Sequence, residues 1–109
     1  MLQLFSYRRL AQEKADADEF LKNMRKVCDW HMPDYRPRLR DGEGLGELRW
    51  ASENKQHRLL GFFMKGCWYA VVGCIHKQQV YDPADAFNTA KRYKRQIESG
   101  AVRTVEYDL

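Results

Sequence analysis

Residues 57–83 read HRLLGFFMKGCWYAVVGCIHKQQVYDP, and the fold turns on how this stretch is divided. Two apolar runs, 57–64 and 67–76, flank Lys65-Gly66. Runs of this length, rich in aromatic and β-branched residues and joined by a two-residue glycine turn, predict a β-hairpin. The second run ends abruptly in His76, Lys77, Gln78 and Gln79. Either the strand has reached solvent there, or its end carries a site. Beyond it, Asp82-Pro83 predicts a helix start, with Asp82 as N-cap, Pro83 at the first helical position, Asp85 in the first turn and Gly100 after the end. Ala86, Ala90, Tyr93 and Ile97 fall on one face of that helix, with Phe87 adjacent, so it should pack on the sheet.

Upstream, ELRWA (47–51) reads as a strand and ENKQ (53–56) as a turn, which extends the hairpin to a three-stranded antiparallel meander over 46–76. Residues 32–46 hold two prolines and three glycines and read as a loop. Before them, Phe20, Met24, Val27 and Cys28, with Leu21 and Trp30 nearby, recur at helical spacing. They predict a helix from Asp16 or Asp18 to His31, with either aspartate as N-cap. LQLFSY (2–7) reads as a first strand. The expectation is one α+β domain over residues 1–109: a small antiparallel sheet packed against two or three helices as one layer pair.

At 109 residues the chain can bury a single modest core. With 44% hydrophobic and 31% charged residues it has a globular rather than a disordered profile. No apolar run approaches the roughly 20 residues of a membrane span. The apolar part of MLQLFSYRRL is too short for a secretory signal, so a cytoplasmic location is expected, without a membrane partner. Three irregularly spaced cysteines do not form a disulfide framework. Zinc would have to recruit Cys67, Cys74, His57 and His76, yet on a regular strand Cys67 and Cys74 face opposite sides, so buried free thiols are the better reading. The net charge of +4 permits an anionic partner without demanding one, and it is uneven, with a basic cluster over 91–95.

A Gly-rich approach leads to the strand Leu45 to Arg49. A strand carrying Arg58 follows, then a hairpin, a strand ending in Ile75 to Gln78, and a helix opened by Asp82-Pro83 that contains Ala90-Lys91-Arg92. In order and spacing this resembles the RelE/HigB superfamily of bacterial toxins, particularly their phage-derived branch, over roughly residues 42–99. Gln78 stands where that family carries a second lysine. The resemblance implies a RelE-like, microbial-RNase-type fold. It also implies the toxin of a type II toxin–antitoxin pair, a ribosome-dependent endoribonuclease that cleaves messenger RNA without metal or cofactor. A small helix-turn-helix antitoxin from a neighbouring gene would silence it. Two alternatives stand beside this: a ParE-like toxin that binds gyrase, and a phage-derived interaction protein that keeps the fold without catalysis.

Cleavage by the neighbouring 2′-hydroxyl needs a group that titrates near neutrality and fixed cations around one phosphate. His76 fits the first by type and is the candidate acid or base. Arg58 shares a strand face with Leu60, Phe62 and Met64. An arginine among apolar neighbours takes an anionic partner, which is either a protein carboxylate or a substrate phosphate. Arg49 lies on the less apolar face of its strand, where it could pair with Glu47; with Arg58 it would clamp the transition state. Lys77 is a candidate phosphate contact or base, although a regular strand turns it away from His76 unless a bulge or turn intervenes. Lys91, Arg92, Lys94 and Arg95 either complement the helix dipole or provide a footing on RNA. Tyr81 either stacks on a base or covers the helix start. Trp50, Trp68 and Tyr69 read as core or as part of an antitoxin surface.

Overall fold

Three two-residue loops fold residues 46–82 back and forth on themselves. The computed structural model describes residues 2–4 and 11–106. In chain order these form β1 (Leu2–Leu4), α1 (Ala11–Arg25), β2 (Tyr35–Arg36), β3 (Gly46–Ser52), β4 (Lys55–Met64), β5 (Cys67–Lys77), β6 (Val80–Asp82), α2 (Ala86–Glu98) and β7 (Val105–Glu106). The closing pairs Ser52↔Lys55, Met64↔Cys67 and Lys77↔Val80 leave only Glu53-Asn54, Lys65-Gly66 and Gln78-Gln79 between the strands. All six loop residues have positive φ, the pattern of type I′ turns, whose twist matches that of the flanking strands.

The strands run β2-β3-β4-β5-β1-β7 across one sheet, with β6 also paired to β5. The far edge of β5 is shared. β1 lies parallel to its first part, from Leu2↔Trp68 to Leu4↔Ala70, and β6 lies antiparallel to its last part. The expected meander over 46–76 is therefore present and longer by one hairpin. Phe5, Ser6 and Tyr7 of the expected first strand lie outside the described residues.

Two cores cover the two faces. Leu21 and Met24 of α1 pack on Leu48, Leu59, Trp68 and Ala70. Ala86, Ala90 and Ile97 of α2 pack with Leu45, Leu60, Phe62, Val71 and Cys74. Leu59 and Leu60 are neighbours that point to opposite faces of a strand. The fold is thus α+β with a helix on each face, not the single layer pair expected.

One irregularity decides which side chains share a face. Leu60 pairs with Val72, but Gly61 pairs with Ala70, so Val71 is an extra residue in β5. A bulge of this kind shifts the alternation by one position. Trp68 and Ala70 thereby face α1, whereas Cys74 and His76, with the same parity, face α2. The argument that Cys67 and Cys74 must point apart fails for the same reason. Both lie on the α2 face, but seven residues of strand place them about 20 Å apart, and neither is in a disulfide among the described residues.

Both helices depart from their expected bounds. α1 begins at Ala11 and stops at Arg25 rather than His31. There the Lys26 and Val27 amides bond back to the Asn23 and Met24 carbonyls, and the Trp30 indole donates to the Met24 carbonyl at 2.9 Å, which caps the end. Neither Asp16 nor Asp18 is an N-cap. Asp16 accepts a bond from Ser52 Oγ at 2.5 Å, and Asp18 pairs with Lys14 at 2.6 Å. α2 begins at Ala86 with Asp85 at the N-cap position, because Val80 to Asp82 turn back onto β5 as β6. Asp82 is thus a strand end, and the Asp82-Pro83 peptide is cis.

Gly61 sits opposite the bulge. A Cβ there would overlap the Tyr69 carbonyl oxygen and reach Cζ2 of the Trp68 ring at 2.5 Å. Gly61→Ala should therefore destabilise the protein by about 1–3 kcal/mol, as overpacking does. A urea titration reads this as a lower midpoint at unchanged slope. An unchanged midpoint would mean that the two strands are not held this close.

Candidate functional site

The α2 face of the sheet carries a polar cluster built from four strands. Glu47 and Arg49 alternate onto this face from β3. Arg58 stands directly opposite Arg49 on β4, and His76 and Tyr81 pair across β5 and β6. Two arginines facing each other repel, so an anion must lie between them. That anion is Glu47. Its Oε1 lies 3.2 Å from Arg49 Nε and 3.6 Å from Arg58 Nε, and its Oε2 accepts a 2.5 Å bond from the Tyr81 hydroxyl.

Glu47 and Arg58 are only 4% and 5% exposed. Arg58 also donates to the His57 carbonyl at 2.8 Å, yet its buried Nε, like that of Arg49, makes no hydrogen bond. Burial pulls the Arg58 pKa down, and the repulsion of Arg49 adds to this more than the attraction of Glu47 opposes it. Two guanidinium groups and one carboxylate leave a positive excess at the site. Such a site is suited to the oxygens of a second anion.

Tyr81 is a neutral donor here. Burial raises its pKa, and its bond to the Glu47 carboxylate raises it further. Its ring meets the His76 imidazole edge to face at 5.8 Å and stacks with Phe87 at 6.2 Å. That makes Tyr81 a cover over the α2 core. His76 is half-buried on the same face.

Lys77 is not brought to this site. The bulge lies six residues before it, so β5 is regular again at its end, and Lys77 pairs with Val80 on the opposite face from His76. The basic residues of α2 are largely engaged. Arg95 forms a two-pronged pair with Glu43, and Lys94 pairs with Glu98 at 2.8 Å while lying over Phe62. Arg92 lies over Tyr93, and Lys91 lies over Phe87. Since Phe87 stacks on Tyr81, Lys91 is one ring away from the cluster.

Glu47 is the residue that the sequence underplays. Its spacing of two from Arg49 places both on one face, and a two-residue turn at 53–54 then puts Arg58 opposite them. The chain matches no family model, no curated protein and no solved structure. No helix among the described residues is long and apolar enough to cross a membrane.

Glu47→Gln should cost about 3–5 kcal/mol, because it leaves Arg58 buried beside a second cation. Adding Arg58→Met should recover much of that loss in urea unfolding, since the unpaired charge is gone. A raised Tyr81 pKa contributes stability that is complete below the unfolded tyrosine value of about 10 and is lost as pH rises through the folded value. The stability gap between the wild type and Tyr81→Phe should therefore narrow above about pH 10. Thermal melts from pH 7 to 11 measure it, and a gap that widens with pH would refute the assigned bond.

Proposed function

We propose that the protein is the toxin of a type II toxin–antitoxin pair, of the RelE/HigB kind, and that it cleaves messenger RNA on the ribosome. The observation that carries this reading is the Arg49–Arg58 pair with its positive excess, set on the same face as a half-buried His76. The arginines receive the non-bridging oxygens of one phosphodiester and stabilise the extra charge as the 2′-oxygen adds to phosphorus. His76 moves a proton, either from the attacking 2′-hydroxyl or to the leaving 5′-oxygen. The products are a 2′,3′-cyclic phosphate and a free 5′-hydroxyl, and each proton lost at one oxygen is matched by one gained at the other. Tyr81 holds Glu47 in place rather than acting as a base. Lys91 and the exposed Arg92 supply phosphate contacts along the RNA, and Lys77 stays outside the chemistry. In this reading the cognate antitoxin is a second partner, and no cofactor takes part.

A second reading has its own observation. Glu47 already occupies the space between the arginines, so the cluster can serve as an internal tie in a non-catalytic interaction protein of the same fold.

Single-turnover cleavage of messenger RNA on programmed ribosomes separates the two. Arg58→Ala should slow cleavage about a hundredfold or more. His76→Ala should slow it about 10²–10⁴-fold and remove its pH dependence near neutrality. Lys77→Ala should cut like the wild type. Each variant is first checked for folding by circular dichroism. A wild type that never cuts would remove the nuclease reading and leave the interaction protein.

A further inference from the structure

A deep concavity lies on the other side of the sheet, at the end of α1. It has a volume of about 530 Å³, within the range of about 300–1,000 Å³ in which ligand pockets fall. Trp30, Tyr35, Phe63 and Trp68 line it as a packed aromatic group, with ring centroids 5.4–6.1 Å apart and mostly edge to face. Phe63 is 56% exposed, and Val27 on the opposite lip is 44% exposed. Such a surface is apolar, rigid and open.

The indole N–H groups of its aromatic wall are engaged. The Trp30 indole donates to the Met24 carbonyl, and the Trp68 indole donates to the Tyr35 hydroxyl at 3.3 Å. No N–H of these rings is left to read a nucleobase edge, so the pocket selects for an apolar side chain. The rim adds a sign. Arg25 and Arg38 line it, and among the described residues neither pairs with a carboxylate; Asp29 is the one acid beside them. Aromatic pockets with arginine at the edge are where interfaces concentrate their affinity.

We propose that this groove docks an acidic partner segment, a peptide that inserts a bulky apolar side chain against Phe63 and Trp30 and sets carboxylates on Arg25 and Arg38. The site is on the opposite face from the Arg49–Arg58 cluster and does not depend on the nuclease reading. The probe is a short fluorescein-labelled peptide with one tryptophan and one leucine between glutamates, followed by fluorescence polarisation against the full chain. Its twin with lysines for glutamates and a single-stranded oligouridylate serve as comparators. The acidic peptide should bind, and the lysine twin should bind at least about tenfold more weakly, a difference of about 1.4 kcal/mol. Phe63→Ala and the double variant Arg25→Glu/Arg38→Glu should each weaken the acidic peptide about tenfold or more. The double variant changes only exposed residues, so it keeps the test open if Phe63→Ala fails to fold. The proposal falls if the acidic peptide does not bind or the twin binds equally well. It falls equally if oligouridylate displaces the peptide, or if sedimentation shows that Phe63 buries itself against a second copy of the chain.

Discussion

The extra residue in β5 is the constraint on which the rest depends. β4 and β5 are the two long strands, and both faces of the sheet are built on them. Were β5 regular through Val71, the alternation that sends Trp68 and Ala70 toward α1 would carry Cys74 and His76 there too. Arg58, held on the α2 side by its register with Cys74, would then have no imidazole on its face. By leaving Val71 out of the ladder, the bulge lets β5 complete the aromatic core on one side and the ionic cluster on the other. Glycine at 61 is the matching condition, because no side chain fits between the strands where the backbones close on the bulge.

The cluster itself is an uneconomical way to stabilise a face. Burying charges costs several kcal/mol per ion, and apolar residues of similar volume often hold a site as well or better. Glu47 Oε1 is shared between the two Nε groups and offsets one of the two arginines, while Tyr81 fixes the carboxylate. A purely structural tie would balance its charges. An excess of one cation and an imidazole on the same face support the proposed phosphate site more than a packing role.

The meander was legible because its signals are local: two apolar runs, a Lys-Gly turn and alternating apolar positions. Loop length then fixed the register, and with it the pairing of Arg49 and Arg58. The β5–β6 hairpin was not legible, because Gln78 and Gln79 adopt left-handed φ without the glycine or asparagine that marks such turns. Asp82-Pro83 therefore read as a helix start when it is a strand end. The early stop of α1 was hidden in the same way. Val27 and Cys28 continue the helical period, but the Trp30 indole takes the Met24 carbonyl and turns the chain away. The bulge leaves no local signal either, since Val71 and Val72 are equally suited to a regular strand.

The places where the helices do not cover the sheet are where chemistry is available. α1 ends at Arg25, too soon to reach Phe63, and the chain that follows supplies Trp30 as a wall rather than a lid. On the other face α2 starts only at Ala86, after β6, so the end of β5 with His76 and Tyr81 is closed by a hairpin rather than by a helix. Phe62 and Phe63 show the division in two consecutive residues. The first is buried under Lys94 of α2, and the second stands open in the groove. A ligand in the groove would press on β4 at Phe63, two positions from Gly61 and five from Arg58.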